Sequence, residues 1–415
     1  MKILFVTTDE YPVFGATSNL INRIAFDGGL VDDNLIDVLS LTNEYTQQLH
    51  EVYKGINIFR VVSYGKIGLK KYKELFQELN VFQKIMSFIE KVYFTIHEKG
   101  GQHPGLYCWI NSYRLACAMN HLDQKGYDVV IPISGSYDAV AAVLMSKIKA
   151  KKVFWQVDPC ADNWLRKKAE VKKGIKLERK IAKSFDAIFT DELYYRSLIS
   201  HIQGLYRKKV HVIKMPLLLI RNEKQKKNKG FVGSENRVDC VFCGLIYAGI
   251  RDPQYTYRVF DCLGNDNNIT LHMYGVDDDG TVQCSKSLVF HGRVQMDEAA
   301  RVVYNADILV NIGNIMTNQI PSKVFEYIAT GKPIINICKN KNCPTIHLLE
   351  KYPNSLSIIE DDSQFDEQIK KVKSFIYNNK GKILGGAEIR KNYHEYTPEE
   401  CAKVIKELLN QVIES

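Results

Sequence analysis

The residues whose types and spacing suit chemistry lie in one stretch, Asn318-Gln-Ile-Pro-Ser-Lys-Val-Phe-Glu326-Tyr-Ile-Ala-Thr-Gly331-Lys-Pro333. An apolar run from Asp307 to Ile312 ends in a polar loop, Gly313 to Gln319. A helical period then opens near Pro321-Ser322 and closes at Gly331, a stop glycine followed by Pro333. The first turn of such a helix leaves backbone N–H groups at the carboxyl edge of a sheet, where the positive helix end favours a phosphate. Lys323 adds a full charge to that turn, and Glu326, one turn on, can accept hydrogen bonds from a ribose diol. The plainer alternative is an ordinary crossover helix with a good C-cap.

A second candidate follows another apolar run, at Trp155-Gln-Val-Asp158-Pro. Asp158 can orient or deprotonate an acceptor hydroxyl, or simply cap the next helix. Asp138, after Ser134-Gly-Ser-Tyr, carries the same two readings. Downstream, Arg166 to Lys183 holds nine Lys/Arg against Glu170 and Glu178, with Ala169, Ile175, Leu177 and Ile181 as an apolar stripe. Such a run is a solvated face, or a contact for anionic lipid head groups or a lipid diphosphate, centred on Lys172, Lys173 and Lys176.

The elements that position these residues alternate short apolar runs with amphipathic stretches, the pattern of βα units and a mostly parallel sheet. Strands are expected at Lys2–Thr7, Leu35–Leu41, Ile56–Val62, Asp128–Ile133, Lys152–Val157, Asp186–Thr190 and His211–Lys214. A long helical region, with Leu75, Leu79, Phe82, Met86 and Tyr93 on one face, falls between the third and fourth. After Met215-Pro216 and a polar stretch at 221–230 the alternation restarts. The later strands are Val238–Gly244, Ile269–Tyr274, Leu288–Phe290, Asp307–Ile312, Pro333–Ile337 and Leu356–Ile359. Thr397-Pro398-Glu399-Glu400 reads as a capping box opening a final helix, with Cys401, Val404, Ile405, Leu408 and Val412 on one face.

Composition bounds the rest. The 415 residues suit two or three domains, and 45% hydrophobic with 25% charged residues is an ordinary globular mix. The formal charge of +9 lies wholly in residues 1–214, with 31 Lys/Arg and 22 Asp/Glu, against 25 of each in 215–415. Such asymmetry points to an anionic partner for the first half. Nucleic acid is not expected, because no reader motif or stacking platform accompanies the charge. The longest apolar run, Ala139 to Met145, is far short of a membrane span, and the start reads as no secretion signal. Ten scattered cysteines suit reduced thiols in a cytoplasmic protein, at most peripheral on the inner membrane face.

Three weaker patterns are set aside. Cys240-Val-Phe-Cys243 has metal-like spacing, but alternation along a strand sends its sulfurs to opposite faces. Asp277-Asp278-Asp279-Gly280 reads as an exposed turn, since no Glu completes a calcium loop. The first strand leads into Thr8-Asp-Glu-Tyr-Pro, not the glycine fingerprint of a dehydrogenase.

The stretch around Glu326 resembles the donor-nucleotide loop of the group 1, family 4-like retaining glycosyltransferases of GT-B architecture, in the capsule and exopolysaccharide branch with a Pro-Ser-Lys-X-Phe-Glu-Tyr-X-Ala-X-Gly-Lys-Pro pattern. The neighbours agree in order: Val241-Phe-Cys-Gly244, Val289-Phe-His-Gly-Arg-Val294 and Tyr304-Asn-Ala-Asp-Ile-Leu-Val310, with Gly15 as the glycine turn of the first domain. The resemblance implies ribose binding by Glu326 and diphosphate binding along Lys323 and the Ile320, Pro321 and Ser322 backbone. It also implies donor contacts at Gly15 and Gly244, and a base contact at Val294. Two positions depart from the family. Asn318 stands where a Glu usually faces the transferred sugar, and the first cation after Gly244 is Arg251, without the usual Lys partner.

The expected fold is therefore α/β: two Rossmann-like doubly wound domains facing a cleft. Residues 1–214 would bind the acceptor and 237–396 the donor, with a linker at 215–236 and a helix at 397–415 returning to the first domain. The resemblance implies a metal-independent, cofactor-free transferase using a UDP- or GDP-sugar and a glycan or lipid-linked acceptor, with Asp158 and Asn318 nearest the reaction. A non-catalytic partner subunit, and a sugar-nucleotide epimerase or a phosphorylase of like architecture, are the competing readings.

Overall fold

The computed structural model describes residues 1–12, 15–42, 48–63, 106–135, 137–163, 168–220, 237–246, 249–266, 268–277, 280 and 284–415. The expected helix over Leu75 to Tyr93, the polar stretch 221–230 with the rest of the expected linker to 236, Arg166, Lys167, Asp278 and Asp279 lie outside these residues. The chain divides into two compact units, Met1–Pro216 with Pro398–Ser415, and Leu217–Thr397.

The first unit is built on an eight-stranded sheet. Its strands are β1 (Lys2–Val6), β2 (Leu35–Thr42), β3 (His50–Tyr53), β4 (Ile56–Val62), β5 (Val129–Pro132), β6 (Lys151–Trp155), β7 (Ala187–Thr190) and β8 (Val210–Val212), in the order β3-β4-β2-β1-β5-β6-β7-β8. Fully buried runs such as Ile-Leu-Phe-Val in β1 and Val-Val-Ile-Pro in β5 make central parallel strands, covered on both faces. The described helices are α1 (Ala16–Asn22), α2 (Trp109–Leu122), α3 (Asp138–Met145), α4 (Lys168–Ser184) and α5 (Glu192–His201). Strand β3 was not expected. It pairs antiparallel at the sheet edge, and its polar, half-exposed residues carry no apolar run to betray it.

The second unit has a six-stranded, all-parallel sheet. In chain order it runs β9 (Val238–Ile246), α6 (Gln254–Asp266), β10 (Ile269–Asp277), β11 (Leu288–Gly292), α7 (Met296–Asn305), β12 (Ile308–Ile312), α8 (Ser322–Thr330), β13 (Ile334–Cys338), α9 (Pro344–Leu349), β14 (Ser355–Ile359), α10 (Phe365–Asn379) and α11 (Gly386–Tyr393). The strand order, β11-β10-β9-β12-β13-β14, reverses direction between β9 and β12. In an open parallel sheet such a switch point opens a crevice at the carboxyl ends, where ligands bind. Cys240 packs with α6 and α10 on one face and Cys243 with α8 on the other, so this pair is two buried thiols pointing apart.

Residues 217–220 start the second unit and are not free linker. Leu218 is buried and donates its N–H to Tyr396 O (3.0 Å). The final helix, α12 (Pro398–Glu414), returns to the first unit. It buries Cys401, Ala402, Ile405, Leu409 and Val412, a stripe rotated from the expected one. The cause is Gly28: a Cβ there would lie 2.6 Å from the Ala402 Cβ, so the helix turns its smallest residue into that contact.

Candidate functional site

The switch point of the second unit has an unusual opening. Strands β9 and β12 pair only at Ile308–Cys240 and Leu309–Val241, and the ladder ends there. Cys243 thus loses its β12 partner, and a buried strand cannot leave an N–H and a C=O unpaired without a cost of about 1–3 kcal/mol each. Tyr327, on the buried face of α8, fills the gap. Cys243 N–H donates to its hydroxyl oxygen (2.8 Å), and the hydroxyl lies 3.3 Å from the Cys243 carbonyl it donates to. A second side chain spans the splay further out. Arg251 donates from Nη1 to Leu245 O (2.8 Å) and from Nε to Asn314 Oδ1 (3.1 Å). Ile315 N–H adds a backbone bond to Ile250 O (2.7 Å). Burial pulls the Arg251 guanidinium below its ordinary value, yet a guanidinium stays charged.

Two glycines let this edge pack closely. Gly275 on β10 has φ +147°, and a Cβ there would fall 1.6 Å from Gly244 O. Gly244 faces the Arg251 guanidinium, which would lie 3.0 Å from an added Cβ. Neither position tolerates a side chain without moving the strand or the cation.

Helix α8 begins at the carboxyl edge beside the opening. Pro321 stands at its N-cap, no side chain caps it, and its first turn holds no carboxylate. Lys323 lies in that turn and pairs with Glu326, Nζ to Oε2 at 2.6 Å, with both groups partly exposed. Gly331 ends the helix at φ +74°, as the spacing predicts. Gly244, Arg251, Ile320, Pro321, Ser322, Lys323 and Glu326 thus belong to one edge of one sheet. Asn318 lies in the loop entering α8, half-buried. Val294 follows the turn at Gly292 (φ +72°) after β11. That strand end is held by His291, which stacks on Tyr274 at 4.3 Å and lies 2.9 Å from His272. His272 in turn meets Asp239 at 3.1 Å.

The first unit presents a different carboxyl edge. Gly15 caps α1, but Asp9 fills the space: its Oδ2 accepts from Thr17 N–H (2.8 Å) and Thr17 Oγ1 (2.6 Å). Across the switch point, Asp138 sits in the first turn of α3, buried, and accepts from Cys108 N–H (2.7 Å) and Asn111 Nδ2 (3.2 Å). Both helix ends carry their own anion. Asp158 follows β6, its backbone fixed by the Ser134 hydroxyl, which accepts from Asp158 N–H (3.2 Å), and by Tyr137 OH on Asp158 O (2.8 Å). Burial pushes its carboxyl up to about 6.

The basic helix α4 attaches to this same loop. Buried Glu178 accepts from Ala161 N–H (3.1 Å) and contacts His201 Nδ1 (2.7 Å), and an added Cβ at Gly174 would lie 2.7 Å from Ala161 Cα. Lys172, Lys173 and Lys176 point to solvent on the opposite face. Tyr327, Glu178 and Asp9 were not singled out for these roles by sequence, whereas Asp138 takes the helix-end place that one of its two readings gave it. A tyrosine on the apolar face of α8, needing a partner for its hydroxyl, was the one available signal.

No family model matches the chain, and no curated protein sequence does. Solved structures match it in fold. Sucrose-phosphate synthase from Thermosynechococcus elongatus superposes with a TM-score of 0.58 at 10% identity, covering 100% of this chain and 99% of the other. A mutant of S. aureus TarM, in complex with fondaparinux, α-GlcNAc-glycerol and UDP, gives 0.61 at 12% identity over 99% and 100%. A trehalose-6-phosphate synthase gives 0.62 at 10% over 99% of each chain. The fold is α/β of the GT-B type along the whole chain.

Asp158 yields a pH test. Its folded-state pKa is raised, so the stability linked to the protonated carboxyl is full below about pH 4 and lost as pH rises through 6. Asp158→Asn removes that loss. In urea unfolding the variant should gain on the wild type by about 2 kcal/mol at pH 8 relative to pH 4. An equal difference at both pH values would contradict a buried, desolvated carboxyl.

Proposed function

We propose that the protein is a glycosyltransferase that moves a sugar, with retention, from a nucleotide diphosphate sugar to a hydroxyl of a glycan or lipid-linked acceptor in cell-surface polysaccharide or glycoconjugate synthesis. One contrast carries this reading. Both helix ends beside the first unit's switch point hold an aspartate, whereas α8 of the second unit is uncapped and carries Lys323. A phosphate is favoured only where the positive helix end is not already neutralised. Neighbouring structures agree in kind: one is bound with UDP-2-fluoroglucose, and another concerns glycosyl transfer with retention.

In this reading the diphosphate lies against the first turn of α8, along Ile320, Pro321 and Ser322. Lys323 and the free edge of Arg251 neutralise it, supplying charge that a bound metal supplies in other transferases. Releasing Lys323 to the phosphate frees Glu326 for the ribose hydroxyls. Gly244 leaves room for the Arg251 guanidinium, whereas the turn at Gly15 is filled by Asp9 and takes no part. Val294 contacts the base through its backbone, and Asn318 hydrogen-bonds a sugar hydroxyl. Asp158 orients the acceptor hydroxyl, while the departing phosphate oxygen accepts its proton. Lys172, Lys173 and Lys176 face an anionic lipid surface at about 1 kcal/mol per cation. No helix among the described residues is long and apolar enough to cross a membrane.

Calorimetric titration with UDP, GDP and their sugars, followed by single-turnover transfer, tests the reading. Glu326→Ala should weaken donor binding at least tenfold, about 1.4 kcal/mol. Unchanged affinity would remove Glu326 from the donor site, and tight binding without transfer to any acceptor would favour a non-catalytic subunit. Release of a rearranged nucleotide sugar without acceptor would favour an epimerase. Reversing the charge of Lys172, Lys173 and Lys176 should weaken co-sedimentation with anionic vesicles and leave nucleotide affinity intact. Unchanged vesicle binding would make α4 a solvated face.

A further inference from the structure

Beneath the loop that follows β12 lies a pair of thiols to which the proposed reaction gives no part. Cys338 is the last residue of β13 and Cys343 the N-cap of α9, and both are buried and free. The turn between them folds back on itself through Asn342 N–H to Asn340 Oδ1 (2.9 Å) and Cys343 N–H to Asn340 O (3.2 Å). That turn sets the two sulfurs beside each other, with the Cys338 S–H directed at Asn336 Oδ1.

The pair is coupled to the donor edge on two sides. A Cβ on Gly313, the first residue of the loop, would lie 2.8 Å from the Cys338 sulfur. The loop thus rests directly on that thiol. On the other side Lys339 pairs with Asp252 at 2.6 Å, next in sequence to Arg251. Cys338 also reaches Asn336 Oδ1 (3.4 Å), in a buried ladder where Asn311 Nδ2 donates to the same oxygen (2.7 Å).

The two thiols differ in chemistry. The neighbouring Cys338 sulfur and the N–H groups of Thr345 and Ile346 draw the Cys343 thiol below its ordinary value, while Cys343 and burial push the Cys338 thiol up. Cys343, at the N-cap of α9 with N–H groups on its sulfur, is therefore the more nucleophilic of the two, and Cys338, its S–H held on Asn336 Oδ1, is the resolving thiol beside it. The connecting turn is exposed at Lys339, Lys341 and Asn342, which gives a route for a small oxidant when it frays.

We propose that Cys338 and Cys343 form a reversible dithiol–disulfide switch under the donor loop, closed by hydrogen peroxide and reopened by a dithiol. The Cys343 thiolate attacks one peroxide oxygen, the O–O bond breaks, and sulfenic acid forms with release of hydroxide, which takes a proton to become water. The Cys338 sulfur attacks the sulfenyl sulfur, its thiol proton leaves with the hydroxyl as a second water, and the S–S bond forms. Two thiols are oxidised and one peroxide is reduced to two waters. Closure removes the thiol donor from Asn336 and shifts the sulfur on which Gly313 rests. That coupling to nucleotide binding rests on the donor reading above; the disulfide does not.

Peptide mapping of the full chain tests both parts. Trypsin cuts after Lys339 and Lys341, so the two cysteines leave on separate peptides unless joined. After hydrogen peroxide and alkylation, a joined pair that dithiothreitol separates is the expected result. Cys338→Ser should instead trap Cys343 as a dimedone-reactive sulfenic acid. Both cysteines fully alkylated, under peroxide that oxidises the exposed Cys117, Cys262 and Cys284, would overturn the switch. Oxidation should change UDP affinity severalfold, reversibly, in wild type but not in Cys343→Ser. Equal affinity in both states would overturn the coupling. A reduced wild type that binds no nucleotide would sink the donor reading and leave the disulfide to the mapping.

Discussion

Strands β9 and β12 separate after only two paired residues, and the second unit's candidate site is organised by what bridges that gap. A parallel sheet cannot abandon its ladder without leaving buried backbone groups unpaired. Here the hydroxyl of Tyr327 takes over both groups of Cys243, and the Arg251 guanidinium ties Leu245 to Asn314. Because Tyr327 belongs to α8, the bond that closes the sheet also fixes the helix whose open N-terminus faces the edge. Glu326 and Lys323, its near neighbours on that helix, are thereby held in place.

The two units share one topology and use it oppositely. In the first, Asp9 and Asp138 neutralise the helix ends at the switch point, and burial pushes the Asp158 carboxyl beyond them up to about 6. A carboxyl whose pKa is raised by burial opposes stability in its ionised form. In the second unit the helix end is open, and the basic groups nearby are Lys323 and Arg251. Seven exposed Lys/Arg against Glu170 and Glu178 place +5 of the first half's +9 on α4, whose inner face, through Glu178 and Gly174, braces the loop after Asp158.

Much of this fold was legible because its signals are local. The strands of both sheets are apolar runs, and α8 opens and closes where Pro321 and Gly331 require. What stayed hidden depends on tertiary pairing. Tyr327 reads as one more apolar-face residue until β9 and β12 are seen to part. Arg251 reads as a lone cation, although two of its nitrogens serve the backbone and a neighbouring loop. Gly15 reads as a phosphate-binding turn, but the residue that fills its turn, Asp9, lies upstream. Strand β3 pairs through its edge with no apolar run, and the stripe on α12 was phased by Gly28, far away in sequence.

Hydrogen–deuterium exchange with and without saturating UDP or GDP tests the central claim most directly. Nucleotide should slow exchange in peptides covering residues 320–326 and leave 15–20 unchanged. Protection at 15–20 with none at 320–326 would contradict the assignment of the phosphate site to the open end of α8.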